Sequence, residues 1–457
     1  MEQFHVLVRK LELNQNVCCS VTQTFSNILF FVACSRGMTW ELLGEYDTEL
    51  YADVVAWCPS DADSEVLVCG TYQLCESVGE DVGLRKGGLI CLRRDVDGKG
   101  IRATARVEDV PGILHFTWNP STCDQVLCTA DAEGDVLLYR LNSKDGSDSF
   151  EKLTKSSAKV DGLALYVDAT RDCKLVVSTS KGAVTTYDSL GGSLEETASF
   201  GAHEYEAWIA HWDVNSESII YSGGDDCVLR CFDVRSSPKS ASDAVATVKR
   251  AQGGVTAIAT HPDYENLVLC GSYDEKMYIF DKRSWRREVD ALSCDGGVWR
   301  IRWHPGRKDL IGIAAMHGGF CVVDVKSAEC MKLVDRYSTH KSLAYGIDWR
   351  PSSKSDHFEL ATCSFYDHLL HNAESDSSQF AVGPELLGLV STSGECVMGS
   401  PSPGQHQTSA ASMKNWTEQD LEQALDALRQ KTMSLTRASA HFGIPSTTLW
   451  QRAHRAG

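Results

Sequence analysis

The chain has 457 residues, a hydrophobic fraction of 43% and a formal net charge of -18, a composition typical of a globular protein. The acidic balance argues against a chain that binds nucleic acid or an anionic membrane over its whole surface, so any such contact must be local. The longest apolar run, residues 28–34, is too short to span a bilayer.

The 18 cysteines are scattered, and most of them lie within apolar runs, as Cys69 and Cys270 do. Cys227 and Cys231 lie four residues apart in a predicted strand, which is not a zinc-binding spacing. The first residues carry no secretory signal. We therefore expect reduced thiols, no bound metal or cofactor, no membrane partner, and a protein of the cytoplasm or of both the cytoplasm and the nucleus.

Residues 1–44 form a poorly defined N-terminal extension with only weak alternation in residues 5–11. After it, aromatic or histidine residues that end a short β-type run recur at intervals of roughly forty to sixty residues. These anchors are Trp57, Trp118, Tyr166, Trp212, His261, Trp303 and Trp349. Such a period, with turn residues between β-type runs, is typical of four-stranded propeller blades. The sequence predicts an all-β, seven-bladed β-propeller of the WD-repeat type over residues 45–372.

Two segments of this region superimpose at an offset of 48 residues, since residues 222–235 match residues 270–283. Both segments finish with Phe-Asp, one further residue and Arg, and an aromatic side chain at the phenylalanine position fills the space between blades. Asp226 and Asp274, with Asp367 in the last blade, occupy turn positions that we interpret as structural. The two copies differ where Asp225 stands against Tyr273 and Cys227 against Glu275, so these positions carry information about function more than about fold.

The composition changes after the repeats. Residues 373–413 are rich in Ser, Gly, Pro and Thr and are predicted to be a flexible linker. In residues 414–457 the apolar period becomes helical, with Thr417 as the predicted N-cap and one apolar face formed by Leu421, Leu425 and Leu428. A second predicted helix ends at Gly443, and a third follows it. Three short helices with a turn before the last are typical of a helix-turn-helix, whose last helix enters the major groove of DNA.

The predicted helix-turn-helix has a local basic balance, because residues 427–457 contain five Lys or Arg residues and no Asp or Glu. The candidates for contact with bases and phosphates are Ser446, Thr447, Thr448, Gln451, Arg452 and Arg455. From the residues alone, a small helical interaction module is the alternative. The segment resembles the Pipsqueak-type helix-turn-helix family through Trp416-Thr-Glu-Gln-Asp-Leu421, Ser434-Leu-Thr-Arg-Ala438 and Phe442-Gly-Ile-Pro-Ser-Thr-Thr-Leu449. The resemblance implies DNA as a partner.

Several runs in the propeller exceed what the fold requires. They include Gly201-Ala-His-Glu-Tyr-Glu-Ala-Trp208, Gly297-Val-Trp-Arg-Ile-Arg-Trp-His-Pro305, Ala344-Tyr-Gly-Ile-Asp-Trp349, Ala361-Thr-Cys-Ser-Phe-Tyr-Asp-His368 and Cys69-Gly-Thr-Tyr-Gln-Leu74. Over about residues 45–371 the chain resembles the WD-repeat diphthine methyl ester hydrolase family of diphthamide biosynthesis. The resemblance implies removal of the methyl ester from methylated diphthine, a modified histidine of elongation factor 2, with that factor as the protein partner.

Hydrolysis of a methyl ester needs an activated water or nucleophile, a base, and donors for the oxyanion. The candidates at predicted turns and at the channel of the propeller are His317, His203, Arg300 and His368. His317 precedes two glycines, has no evident structural role and is the first candidate for the base. His203 has a second interpretation, in which it joins Asp226 in the structural hydrogen bonds of the repeat. Arg300 also has a second interpretation, in which it packs under the edge of a blade.

The implied substrate carries a trimethylated, cationic nitrogen, which an aromatic and acidic pocket would bind. The candidates for this pocket are Glu204, Tyr205, Trp299, Tyr345 and Tyr366.

The resemblance begins near Leu43 and ends at His371, where the chain departs from the family pattern. The predicted last blade therefore lacks part of a strand unless the N-terminal extension supplies it, and a missing strand would leave an open sheet edge. The alternative to an esterase is a non-enzymatic WD-repeat scaffold that the helix-turn-helix recruits to DNA.

Overall fold

The computed structural model describes residues 39–60, 63–75, 84–95, 98–120, 125–144, 147–154, 158–190, 192–325, 330–351, 357–376, 417–429, 438, 441–444 and 449. Within them, 29 β-strands form seven antiparallel sheets, which are the blades of a propeller. The predicted all-β, seven-bladed propeller is confirmed.

The strands follow one another blade by blade. Blade 1 consists of β2 (Tyr51–Trp57), β3 (Val66–Leu74), β4 (Arg85–Arg94) and β5 (Ile101–Pro111). Blade 2 consists of β6 (Ile113–Trp118), β7 (Val126–Asp131), β8 (Asp135–Lys144), β9 (Ser147–Lys152) and β10 (Ala158–Lys159), and the last two both pair with β8. Blade 3 consists of β11 (Ala164–Ala169), β12 (Lys174–Thr179), β13 (Ala183–Leu190) and β14 (Ser193–Gly201).

Blade 4 consists of β15 (Ala207–Asp213), β16 (Ser216–Gly224), β17 (Leu229–Asp233) and β18 (Ala246–Val248). Blade 5 consists of β19 (Val255–Ala259), β20 (Leu267–Ser272), β21 (Lys276–Asp281) and β22 (Asp290–Ser293). Blade 6 consists of β23 (Arg300–His304), β24 (Arg307–Ala314), β25 (Phe320–Asp324) and β26 (Lys332–Tyr337). Blade 7 consists of β27 (Ala344–Trp349), β28 (His357–Ser364), β29 (Leu369–Asp376) and the N-terminal strand β1 (Trp40–Asp47).

The first strands of the blades form the inner ring. In ring order β2, β6, β11, β15, β19, β23 and β27 each contact the next, and β27 contacts β2 again. Six of the seven anchors lie in these first strands, as Trp57 in β2 and Trp349 in β27 do, and His261 follows shortly after β19. The ring is therefore closed, and its inner strands line a central channel.

The hydrophobic core lies between the blades. Its clusters draw their side chains from neighbouring blades, as the cluster that joins blades 5 and 6 does. The aromatic residues at the blade ends, Tyr187, Phe232 and Phe280, are almost fully buried in these seams, as the repeat pattern predicts. The cysteines in the described part of the chain are all free thiols, and most of them are buried.

The last blade is completed by β1. This strand pairs antiparallel with β29, in a register that runs from Trp40 opposite Ser375 to Asp47 opposite Leu369. The extension thus supplies the strand that blade 7 needs, and the strands of the propeller run from Trp40 to Asp376, beyond the predicted bounds of 45 and 372. The rest of the extension, and the predicted linker from residue 377 onward, lie outside the described residues.

In the C-terminal region the structure describes one helix, α1 (Glu418–Arg429). Thr417 Oγ1 accepts the N–H of Asp420 at 3.1 Å, and Asp420 Oδ2 accepts the N–H of Thr417 at 2.8 Å. The predicted N-cap is therefore present as a reciprocal pair. One apolar cluster contains Leu421, Ala424, Leu425, Ala438, Ile444 and Leu449. None of the helical segments described is both long and apolar enough to cross a bilayer.

Candidate active site at the channel mouth

Local irregularities of the inner strands place one set of side chains at one end of the channel, here called the channel mouth. In six blades the register between the first and second strands slips by one residue near the start of the first strand. Such a β-bulge re-aims a side chain, and bulges are common beside active sites. The residues at the slip are Asp53, Leu114, Leu165, Trp208, Thr256 and Tyr345.

Aromatic side chains of blades 4, 5, 6, 7 and 1 form a continuous belt at the channel mouth. The aromatic belt consists of Trp208, Tyr273, Trp299, Tyr345, Phe365, Tyr51, Tyr72 and Tyr366. Neighbouring ring centroids in the first half lie 6.0, 5.9, 4.9 and 4.5 Å apart, from Trp208 through to Phe365. Phe365 then contacts the rings of Tyr51 and Tyr72. These are the spacings at which aromatic pairs attract one another.

Asp53 of blade 1 faces Arg300 of blade 6 across the channel mouth, with 4.0 Å between Oδ1 and Nη2. Both residues are buried, with 5% and 4% of their surface exposed. Burial raises the pKa of Asp53 from 3.8 to about 7, although the charge of Arg300 acts to lower it. Among the described residues, Asp53 Oδ1 and Arg300 Nε have no hydrogen-bonding partner. The pair therefore offers a carboxyl group that titrates near neutral pH beside an N–H donor with unused capacity.

Aromatic rings hold the Arg300 guanidinium in place. Its Cζ lies 4.8 Å from the ring centroid of Trp299 and 5.5 Å from that of Tyr166, and its Nη1 donates to the carbonyl of Trp299 at 3.0 Å. His115 stacks on the ring of Tyr166, with 3.7 Å between the two ring centroids. Burial, and then the charges of Arg300 and Arg302, hold the pKa of His115 well below its usual value. This imidazole is therefore neutral at neutral pH.

Of the predicted catalytic residues, His203 lies in a structural hydrogen-bond network. Its Nδ1 lies 2.8 Å from Asp226 Oδ1 and its Nε2 lies 2.8 Å from Ser222 Oγ. Arg230 donates to the other oxygen of Asp226 at 2.7 Å. Both ring nitrogens of the buried His203 are occupied, which agrees with the second of its two interpretations.

His317 is exposed in the loop between β24 and β25. The backbones of Met316 and Ala344 exchange two hydrogen bonds, at 3.2 and 3.0 Å, so this loop lies beside the strand that carries Tyr345. His317 also lines a cleft of about 390 Å³ together with Arg336 and other residues of blade 6 and of the loops that flank it. It is thus a neighbour of the aromatic belt, in a separate cleft from the Asp53–Arg300 pair.

His368 and Tyr366 lie at the rim of the aromatic belt, in the turn between β28 and β29. Their ring centroids lie 5.1 and 5.4 Å from that of Tyr51. The carbonyl of His368 accepts the N–H of Thr48 at 2.8 Å, which ties the turn to the end of β1. Tyr366 is 61% exposed, so its ring is open to a ligand.

The predicted substrate-binding residues fall into two groups. Trp299 and Tyr345 are members of the aromatic belt and contact each other, and Tyr366 extends the belt. Glu204, which is exposed, and Tyr205, which is half-buried, lie in the loop that leads into β15. The structure therefore brings Trp299, Arg300 and Tyr345 together.

The predicted structural aspartates accept hydrogen bonds from groups near their own turns and from the loops that lead into their blades. Asp274 Oδ2 accepts from the N–H of Gln252 at 2.7 Å and from the hydroxyl of Tyr278 at 2.6 Å. Asp367 accepts from the N–H of Lys341 at 3.3 Å and from the hydroxyl of Ser364. Together with Asp226 beside His203, they make contacts that fit a role in the scaffold.

Sequence reasoning missed Asp53 and did not propose Trp208, Tyr51, Tyr72 or Phe365 of the belt, and it marked Tyr273 only as a position that differs between two repeats. One signal was present, because Asp53, Trp208, Trp299 and Tyr345 each stand four residues before an anchor tryptophan. In blade 6 this position is Trp299, which falls just before β23, and the backbone N–H of Trp299 donates to the carbonyl of Ala314 at 2.8 Å. Aligning the blades on their anchors would have shown this ring of equivalent positions.

The predicted DNA-contacting residues Ser446, Thr447, Thr448, Gln451, Arg452 and Arg455 lie outside the described residues. The described part of the chain contains no group of three or more His, Cys, Asp or Glu side chains placed to hold a metal ion.

Comparison with known proteins gives two family matches. Residues 417–457 match the helix-turn-helix, Psq domain family, and residues 243–281 match the WD domain, G-beta repeat family. A solved structure of the mitotic checkpoint complex contains a chain that superimposes with a TM-score of 0.56 over 78% of this chain and 98% of its own length. At 14% sequence identity, that likeness concerns the fold alone.

Relatives match over about two thirds of the chain. Diphthine methyltransferase of Homo sapiens is 32% identical over 66% of this chain and 73% of its own length. The diphthine methyltransferase homolog of Dictyostelium discoideum is 30% identical over 67% of this chain and 92% of its own length. Diphthine methyltransferase of Schizosaccharomyces pombe is 31% identical over 70% of this chain and 93% of its own length. The chain therefore belongs to the diphthine methyltransferase family.

Proposed function

We propose that the propeller hydrolyses the methyl ester of methylated diphthine on elongation factor 2. The observation that carries this proposal is the Asp53–Arg300 pair, in which a buried carboxyl with a pKa of about 7 lies 4.0 Å from a guanidinium. A base that titrates near the working pH and a fixed cation are what ester hydrolysis requires. The names of the relatives support diphthine as the substrate.

In the proposed mechanism, the ionised Asp53 carboxylate takes a proton from a water molecule as the water oxygen bonds to the ester carbonyl carbon. The negative charge that develops on the carbonyl oxygen is stabilised by N–H groups of Arg300. The bond from the carbonyl carbon to the methoxy oxygen then breaks, and the methoxy oxygen takes the proton back from Asp53. The products are methanol and the carboxylic acid of diphthine, which then releases its proton to water and becomes the carboxylate.

The relatives are named for methyl transfer, and the two reactions have opposite effects on the substrate. Transfer adds a methyl group to diphthine, whereas hydrolysis of the ester removes one. The Asp53–Arg300 pair favours hydrolysis, because it supplies a base for water and a donor for an oxyanion.

The test is to incubate the full chain with elongation factor 2 that carries methylated diphthine, and to measure methanol and the intact mass of the factor. We expect one methanol for each factor and a mass loss of one CH₂ group. A mass gain of one CH₂ group, as methyl transfer would give, would contradict the proposal. So would no release from a sample whose circular dichroism shows a folded propeller, and that outcome would favour the scaffold alternative.

We further propose that the C-terminal segment binds duplex DNA. Its match to the helix-turn-helix, Psq domain family, the capped helix α1 and the five basic residues without an acidic one in residues 427–457 support this. Basic residues that neutralise phosphates release counterions, so the affinity must fall as salt rises.

The DNA proposal is tested by fluorescence anisotropy of a labelled duplex titrated with the full chain at several salt concentrations. We expect the logarithm of the association constant to fall linearly with the logarithm of the salt concentration, and Arg452→Ala to lower the slope by about 1. The matched control is Arg283→Ala, at an exposed arginine of the propeller, which should leave the slope unchanged. Binding that is insensitive to salt would rule out phosphate contacts as its source.

A further inference from the structure

One end of the aromatic belt is a cluster of three rings from three blades. The centroids of Trp208, Tyr273 and Trp299 lie 5.7 to 6.0 Å from one another. The ring plane of Trp208 makes an angle of 84° with that of Tyr273 and of 64° with that of Trp299, so the rings do not stack face to face. Trp208 and Tyr273 are half-buried, which leaves part of each ring open at the channel mouth. The cluster therefore offers several π faces and edges around one small region.

A buried carboxylate stands at this cluster. Asp225 is 3% exposed, and its Oδ1 accepts the indole N–H of Trp208 at 3.1 Å. The corresponding residue of the next blade is Tyr273 itself, so the two blades place an acid and an aromatic ring at equivalent positions. A negative charge beside aromatic faces strengthens their attraction for a cation.

Two glycines fix Tyr273 in this arrangement. A Cβ at Gly254 would lie 2.8 Å from Asp225 Oδ1 and 3.1 Å from Tyr273 Cδ2, and a Cβ at Gly297 would lie 3.1 Å from Tyr273 Cδ1. Any larger residue at either position would push the tyrosine ring or the carboxylate away. The close approach of the acid and the ring thus depends on these glycines.

The cluster adjoins the catalytic pair through consecutive residues. Trp299 belongs to the cluster and Arg300 to the pair, and the guanidinium already lies 4.8 Å from the Trp299 ring centroid. The methylated diphthine side chain carries both a methyl ester and a trimethylated nitrogen, so the sites that receive these groups should be neighbours.

We propose that Trp208, Tyr273, Trp299 and Asp225 form a receptor for a quaternary ammonium group. The receptor would hold the trimethylated nitrogen of diphthine while its ester reaches Asp53 and Arg300. This identification of the natural cation rests on the proposed ester hydrolysis, whereas binding of a free trimethylammonium compound does not. Contact with the half-buried rings of Trp208 and Tyr273 and with the Asp225 carboxylate would make the site prefer a permanent cation over a neutral group of the same shape.

The experiment compares choline with 3,3-dimethylbutan-1-ol, its uncharged isostere, by isothermal titration of the full chain without substrate. We expect choline to bind roughly tenfold more tightly, as cation–π attraction at a partly desolvated site predicts. Asp225→Asn and Trp208→Leu should remove most of this preference. Asp233→Asn, at an aspartate outside the belt, and Trp285→Leu, at a tryptophan outside the belt, should preserve it.

Equal binding of the two compounds, or a preference that survives both Asp225→Asn and Trp208→Leu, would overturn the receptor. If Trp208→Leu does not fold, Trp208→Phe retains a ring and should keep only part of the preference. Methanol release without any choline preference would leave the esterase standing and the receptor wrong. A choline preference without methanol release would support the receptor and contradict the esterase.

Discussion

The Asp53 carboxyl lies at the aromatic belt and faces one guanidinium, that of Arg300, at 4.0 Å. The attraction of this single charge lowers the pKa of Asp53 by less than burial raises it. Its pKa of about 7 means that it is protonated in acid and ionised above neutrality. A general base acts in its ionised form, so the rate it supports must rise with pH. Asp226 behaves differently, since its hydrogen bond with His203 and the pairing with Arg230 hold its pKa below the usual value although burial acts to raise it.

Replacing Arg300 should move the pH dependence of hydrolysis. Because the charge of Arg300 lowers the pKa of Asp53, Arg300→Met should raise that pKa above its present value of about 7 and shift the pH–rate curve to higher pH. The rate at the plateau should also fall by about 10²- to 10³-fold through loss of the oxyanion donor. Arg300→Lys keeps a positive charge and should shift the curve less. A curve that keeps its midpoint in Arg300→Met would show that Asp53 is not the titrating base.

At this scale the sequence predicted one half of the candidate site that the structure assembles. Trp299, Arg300 and Tyr345 stood out because their runs exceed what a blade needs, and they do lie together. Asp53 was hidden, because it sits in the short apolar strand β2 and its importance comes from burial and from a cation on a distant blade. Neither property can be seen in a single sequence without placing the blades around a ring.

Among the elements, the seam between blades 7 and 1 carries a buried ionic clasp centred on Glu359 in β28. Glu359 accepts from Arg350 at 2.9 Å and from Asn372 at 2.8 Å, and Arg94 of blade 1 lies 3.2 Å from it. The glutamate side chain is only 4% exposed, so its charge depends on these partners. The clasp joins the two blades where the ring closes.

Glu359→Ala should lower the free energy of unfolding by about 3–5 kcal/mol, because it leaves two arginines without their buried partner. The measurement is urea unfolding followed by tryptophan fluorescence. Glu65→Ala is the matched control, because Glu65 also binds Arg350 but its side chain is 44% exposed. Removing this exposed partner should cost about 0–1 kcal/mol. Equal losses in the two variants would contradict a clasp that depends on burial.

The sequence left undecided whether the N-terminal extension supplies the closing strand β1, and there is a physical reason for this. Its register slips between Leu42 and Gly44, so the apolar and polar residues do not alternate regularly along it. What holds the strand is tertiary, namely its pairing with β29 and the indole hydrogen bond from Trp40 to Asp335 at 2.7 Å. Long-range pairing of this kind leaves little trace in local sequence.

For the whole molecule, the repeat was enough to predict the fold. Seven anchors imply seven blades, and each blade is built from local hairpins whose turn residues are visible in the sequence. The Thr417–Asp420 cap was equally local and was also predicted, as the two reciprocal hydrogen bonds confirm. What the repeat could not predict is the chemistry at the channel mouth, because that depends on the residues that differ between blades.

The most direct test of Asp53 as the base of a methyl esterase is the pH dependence of kcat/KM for methanol release from the methylated elongation factor. For the native chain we predict a rise between about pH 5 and about pH 9, with a midpoint near the Asp53 pKa of about 7. Asp53→Asn should lower the rate by about 10²- to 10⁴-fold and flatten the curve. An Asp53→Asn variant with the native rate and the native pH dependence would contradict this assignment.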